Sequence, residues 1–189
     1  MCWFPEQRGT LCAVDDLTEL ALAAQGGDRA ALERLVRATQ ADVWRLCAHL
    51  VDRSSADDLT QDTYARAIGS LHRYRAEAPV KVWLLSIARR VCADSIRSSV
   101  RRRNLLARLP RPAAGDPGSA GQTELDALLT DLDGDRRTAF VLTQVLGLSY
   151  QEAAEVCGCP VGTIRSRVSR ARDDLVTAMS ADDGAAEAY

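Results

Sequence analysis

The chain has 189 residues, 47% of them hydrophobic, 26% charged and 5% aromatic, with a formal net charge of −2. Scarce aromatics argue against a β-rich fold, since strands favour them, and no apolar run approaches the ~20 residues of a membrane span. The start, Met1 to Glu6, has no basic segment followed by an apolar core and so does not read as a secretory signal; the chain is expected in the cytoplasm.

The small net charge hides an uneven distribution. Lys81 is the lone lysine, and every other basic residue is arginine. Eight arginines fall between Arg89 and Arg111 against one acid, Asp94, and four fall between Thr163 and Arg172 against none. Two such segments in a near-neutral chain suit two contacts with a polyanion. A pair of solvated helix faces would give the same count. The six cysteines, Cys2, Cys12, Cys47, Cys92, Cys157 and Cys159, are scattered, which in a cytosolic protein implies reduced thiols. Only Cys157 and Cys159 are close, and a zinc site needs two further ligands. His49 and His72, the two histidines, lie near no second cysteine pair, so neither a metal nor a cofactor is expected.

Residues 1–14 match no pattern and read as a disordered tail. From 15 to 50 the chain is rich in Ala, Leu and Arg, and Gly26-Gly27-Asp28 separates two helices, the second from about Ala30 to Leu50. Ser55 and Asp58 have capping-box spacing and open a third helix running to about Leu71. On it Asp57, Gln61, Tyr64 and Ile68 share a stripe, with Asp58 and Asp62 as an acidic edge beside it. Carboxylates four residues apart repel in solvent. Two readings stay open here: a protein contact, or a solvated face with Arg53 and Arg66 as partners.

A loop from His72 to Pro79 leads into a fourth helix, from about Val80 to Arg101. Leu84, Ile87, Ala88 and Val91 form its apolar face. Arg90, Arg97 and Arg101 share another, with Arg89 beside it. Trp83 lies at the edge and Tyr74 in the loop before it, and aromatics beside arginine are what unpaired bases stack on; most of the Trp83 ring reads as core. Between Asn104 and Gln122 the periodicity fails in a Pro- and Gly-rich stretch, a flexible linker. The reading is therefore all-α: two small helical domains, 15–103 and 124–180, joined by a linker at 104–123 and followed by a tail at 181–189.

The second domain contains Ser149 and Glu152 at capping-box spacing, a break at Gly158, and Pro160 where a new helix starts. Helix, short glycine turn and helix make a helix-turn-helix. On a wheel of about 100° per residue, Ile164, Val168, Ala171 and Leu175 fall on one side, and Arg165, Ser166, Ser169 and Arg170 on the other. Guanidinium forks and short hydroxyls suit guanine edges and phosphates.

Three stretches, in this order, resemble an extracytoplasmic-function sigma factor, a minimal member of the bacterial sigma-70 family. Asp57-Asp-Leu-Thr-Gln-Asp-Thr-Tyr64 resembles the family's core-polymerase-binding helix. Trp83-Leu-Leu-Ser-Ile-Ala-Arg-Arg90, followed by Asp94 and Arg97, resembles its promoter-melting helix. Leu146-Gly-Leu-Ser-Tyr150 with Gly158 to Arg167 resembles its C-terminal helix-turn-helix. The likeness covers about residues 15–180 and leans toward actinobacterial members.

The resemblance implies an all-α protein that binds core RNA polymerase and promoter DNA, directs transcription initiation and is no enzyme. By motif, Asp57, Asp58, Leu59, Gln61, Asp62 and Tyr64 go to polymerase binding. Arg73, Tyr74, Trp83, Arg89, Arg90, Asp94, Arg97 and Arg101 go to the minus-10 element. Thr163, Arg165, Ser166, Ser169 and Arg170 go to the minus-35 element. An anti-sigma factor is a further partner that the resemblance allows, and membrane insertion is not expected. Arg90 stands where many members carry Asn, which bears on minus-10 preference. A stand-alone helix-turn-helix regulator would use 124–180 but leave Asp57–Tyr64 and the Arg89–Arg101 helix without a task. An enzyme would need a catalytic set or phosphate loop that this sequence does not offer.

Overall fold

The computed structural model describes residues 15–106 and 124–186, with side chains described for 15–105 and 127–180. The expected N-terminal tail, residues 107–123 of the expected linker and the last three residues lie outside the described part.

Eight helices make up the described chain, with no strand. Helix α1, Asp16–Gln25, starts where the Asp15 carboxylate accepts the Thr18 N–H at 2.7 Å. It stops at Gly26 and Gly27, the latter at φ +100°, a conformation that favours glycine. Helix α2, Arg29–Leu50, is capped by Asp28, which accepts from the Ala30 and Ala31 N–H groups. Its inward stripe, Leu35, Thr39, Val43, Leu46 and Leu50, keeps helical spacing.

Helix α3, Ala56–Ser70, does not begin with the capping box expected at Ser55 and Asp58. Ser55 sits in a right-handed helical conformation and makes no side-chain cap. Asp52 takes over: it accepts the Ser55 N–H at 2.7 Å and the hydroxyls of Ser54 and Ser55 at 2.5 and 3.1 Å. Burial works against that charge, but these donors outweigh it and hold the carboxyl below its usual range.

After a short turn at Leu71–Arg73, helix α4 runs from Val80 to Leu106, past the expected end at Arg101 and into the stretch read as linker. No Gly or Pro interrupts it before Pro110, so nothing local stops propagation. Helix α1 holds the other end of α4. Thr18 Oγ1 accepts the Val80 N–H at 3.0 Å, and Gln25 Nε2 donates to the Leu71 and Tyr74 carbonyls at 3.0 Å each.

The C-terminal part comprises α5, Glu124–Thr130; α6, Gly134–Phe140, widening into a π turn at Val141–Val145; α7, Tyr150–Cys157; and α8, whose backbone continues from Val161 to Ala186, through most of the expected tail. The apolar core is continuous between the two parts. Val43, Leu85, Val91 and Cys92 belong to one cluster with Leu129, Leu142, Val156, Ile164 and Val168, and α4 packs along α7.

Candidate nucleic-acid interface

The helix-turn-helix is built by local chemistry. Ser149 Oγ accepts the Glu152 N–H at 3.2 Å while Glu152 Oε2 accepts the Ser149 N–H at 2.7 Å, the full capping box read from the sequence. Gly158 ends α7 at φ +65°, and its N–H caps the Ala154 and Glu155 carbonyls. The chain then turns at once into α8. Ile164, Val168 and Ala171 are fully buried, while Arg165, Ser166, Ser169 and Arg170 are exposed. The wheel therefore holds in three dimensions: one side is anchored and the other is open to a groove. Thr163 is half-buried, and its carbonyl accepts the Ser166 hydroxyl at 3.0 Å. The remaining arginines of the helix hold it to its neighbours. Arg167 pairs with Asp135 of α6, and Arg172 donates to Gln144 Oε1 at 2.8 Å.

Helix α4 distributes its arginines differently. Arg90, Arg97 and Arg101 are exposed. Arg89 is not open to DNA: its Nε donates to the Val156 carbonyl at 3.1 Å and its Nη2 to the Cys157 carbonyl at 3.3 Å. It thus satisfies the last turn of α7, where orphan carbonyls gather. Burial pushes the neighbouring Cys157 thiol up to about 11. Asp94 bridges Arg66 of α3 at 2.9 Å and Arg97 at 2.6 Å. Arg66 first and Arg97 second hold its carboxyl below the usual range. Arg66, read as a partner for the acidic face of its own helix, ties α3 to α4 instead.

Beside the start of α4 lies a cleft of about 460 Å³ lined by Arg73, Tyr74, Trp83, Ser86 and, from α7, Glu155. Arg73 is exposed, its Nε donating to His72 Nε2 at 3.1 Å. Tyr74 is largely buried; its hydroxyl donates to the Ala78 carbonyl at 2.6 Å, and its ring meets Trp83 at 5.1 Å between centroids. Trp83 is half-buried, consistent with a ring that is mostly core.

On α3 the structure separates the expected contact residues. Asp57, Asp58, Gln61 and Asp62 are exposed, and Asp57 accepts the Trp44 indole N–H at 2.8 Å. Leu59 is buried in the core. Tyr64 leans on α2, its hydroxyl bonded to Thr39 Oγ1 at 2.8 Å. Burial raises the Tyr64 phenol above its usual range. Leu59 and Tyr64 therefore set the shape of the acidic face rather than form its outer surface. No group of three or more His, Cys, Asp or Glu suited to a metal occurs among the described residues.

Two family models match: Sigma-70 region 2 over residues 35–102 and Sigma-70 region 4 over residues 122–175. The chain is 51% identical over 182 residues to the ECF RNA polymerase sigma factor SigC of Mycobacterium tuberculosis, covering 92% of this chain and 98% of the relative. This chain belongs to the ECF sigma factors. Among solved structures, it resembles the sigma factor RpoE of Bartonella quintana, solved in complex with the anti-sigma factor NepR (TM-score 0.67, 29% identity, 80% of this chain and 98% of that one). It also resembles CnrH, solved in complex with the cytosolic domain of CnrY (TM-score 0.69, 28% identity, 87% and 97%). A stand-alone regulator is not favoured, because the region 2 match covers the part such a regulator would leave idle.

Sequence reasoning about this sigma factor missed the Arg89 clasp on α7, the Arg66–Asp94–Arg97 bridge and the place of Glu155 at the cleft. Apart from the Asp94–Arg97 pair three residues apart on α4, each joins different elements, and no local pattern announces such a contact.

Proposed function

We propose that this sigma factor divides its work as the motifs suggest, with 15–103 and 124–180 as working units around a linker at 104–123. The exposed carboxylates and amide of Asp57, Asp58, Gln61 and Asp62 form the docking face for core RNA polymerase. Arg90, Arg97 and Arg101 hold minus-10 phosphates, and the cleft beside Trp83 and Arg73 receives an unpaired base. Tyr74 stiffens that cleft from beneath rather than stacking on DNA. Arg89 joins the DNA contacts once α7 has released it, and Asp94 orients Arg97. Arg165, Ser166, Ser169 and Arg170 read the minus-35 element, with Thr163 shaping the helix start.

The protein acts in the cytoplasm as an initiation factor without catalysis of its own; no helix among the described residues is long and apolar enough to cross a membrane. Because the RpoE neighbour was solved with an anti-sigma factor, a partner of that kind is part of the proposal. The observation that carries the reading is the open Arg/Ser face of α8 over a fully buried back.

The test is promoter-dependent transcription with purified core polymerase. Asp58→Arg combined with Gln61→Ala should weaken core binding while circular dichroism stays unchanged, because both sites are exposed. Unchanged core affinity would overturn the docking assignment.

A further inference from the structure

A second, larger cleft of about 540 Å³ opens where the end of α2 and the middle of α4 face the start of α6. Its volume suits a small organic ligand, for which pockets of about 300–1,000 Å³ are usual. One wall is apolar: Leu50, Val51, Cys92, Ala93 and Ile96. Ile96 keeps 44% of its surface exposed, an unused apolar contact. Arg89, Arg97, Arg103 and Arg137 line the same space, Arg97 already paired with Asp94.

Two aspartates line the cleft, and both are engaged elsewhere: Asp52 by Ser54 and Ser55, Asp135 by Arg167. Two of the arginines are fixed by neutral acceptors. Arg89 donates to the α7 carbonyls, and Arg137 Nη2 donates to the carbonyls of Thr130 and Leu132 at 2.5 and 3.3 Å. Carbonyls pin a guanidinium without cancelling its charge, so the geometry of both forks is preset, and only part of the Arg137 charge is answered, by Asp131 and Asp133. Burial holds Arg137 below its usual range, against the pull of Asp131 and Asp133. Its Nε is buried with no hydrogen-bond partner.

Guanidinium forks at several points around one cavity match an anion with several oxygens better than a single carboxylate. Apolar side chains between them on the same face of α4, Cys92, Ala93 and Ile96, with Val51 of the neighbouring turn, leave a surface for a ring. We propose that this cleft binds a nucleotide-like anion, its ring against Val51 and Ile96 and its phosphates between Arg103 and Arg137. A nucleic-acid duplex is too wide for a cavity of this volume walled by three helices. The ligand would touch both parts of the chain, because Gly134 and Thr138 of α6 close the side facing α4.

The experiment is titration of the full chain by calorimetry at matched ionic strength with ATP, inorganic triphosphate and adenosine as probes. ATP should bind about tenfold more tightly than either fragment, since each part adds a contact worth about a factor of ten. Arg103→Gln should weaken ATP about tenfold; this residue is exposed at the far end of α4 and carries no folding task. Arg137→Gln should do at least as much, with melting followed alongside because Arg137 also holds the α5–α6 turn. Arg34→Gln, exposed on α2 away from the cleft, should change nothing. No ATP binding at millimolar concentration would overturn the site. Triphosphate binding as tightly as ATP would overturn the role of the ring, and full affinity in Arg103→Gln would overturn the location. The titration needs neither polymerase nor promoter, so its failure leaves the initiation reading untouched.

Discussion

Helices α8 and α4 each carry a face of arginine, yet the two faces stand in different circumstances. On α8 the back of the helix is sealed by Ile164, Val168 and Ala171, and among the described residues those proposed to read bases make no bond to another helix. On α4 the most inward arginine, Arg89, holds α7, and Glu155 of α7 lines the cleft beside Trp83. One surface is open as it stands. The other is shared with the protein's own helix, so full access to it requires α7 to move. An arginine-rich segment thus predicts affinity for a polyanion, but whether the guanidinium is available depends on packing that composition does not encode.

The largest effect is expected at the back of α8. Val168→Asp places a charge where the side chain is almost fully buried, and should destabilise the C-terminal helices by about 4 kcal/mol or more. Minus-35 binding should vanish together with the thermal transition of that part. Retained binding would mean that the face does not depend on its packed back.

A smaller effect is expected on the open face. Arg165→Ala should remove about 1–3 kcal/mol of discrimination among minus-35 sequences, as a lost bidentate guanine contact would. Arg170→Ala should act similarly or less. Arg172→Ala should cost general affinity only, because Arg172 is bonded to Gln144. Binding to a library of minus-35 variants separates these outcomes. A loss equal for every sequence after Arg165→Ala would make Arg165 a phosphate clamp.

The clasp on the other face gives the next test. Arg89→Ala should loosen the contact between α4 and α7 by about 1–3 kcal/mol, the range for hydrogen bonds to a charged group. Limited proteolysis within residues 107–123 should then be faster, while the secondary structure stays intact. An unchanged cleavage rate would show that the apolar core alone holds α7 in place.

The smallest effect concerns α3. Asp52→Asn should cost about 1 kcal/mol, the usual worth of a helix-start acceptor. The folded Asp52 carboxyl is held below its ordinary value, so its contribution is complete above about pH 4 and fades as pH falls through the folded value. Thermal melts of wild type and Asp52→Asn should therefore converge in acid. A gap that persists there would assign the effect to packing.

Much of this architecture could be read in advance, for reasons that are local. The α8 face followed from spacing, and the Ser149–Glu152 box from two residues three apart, because the groups that make those features are sequence neighbours. The features that escaped were decided elsewhere. Ser55 failed as a cap because its backbone turns helical one residue early, leaving Asp52 to serve. Helix α4 outran its expected end because proline, not polarity, would have stopped it. Leu59 and Tyr64 lie in the motif read as polymerase-binding, yet Leu59 is buried in the core and Tyr64 is bonded to Thr39 of α2. Arg89 looks like its neighbours in sequence and differs from them only by meeting α7.

The bond between Thr18 and the Val80 N–H spans 62 residues. At a synthesis rate of about 5–20 residues per second, the two ends of that bond emerge about 3–12 s apart. Helix α1 is made first, but the turn it clamps with Gln25 and the helix it caps do not yet exist. Its shortness gives it little stability alone, and its main packing partner is α2, the next helix to emerge. The clamp is therefore a late closure: α1 can pack on α2 as soon as α2 emerges, but its bonds to Leu71, Tyr74 and Val80 must wait for residues made seconds later.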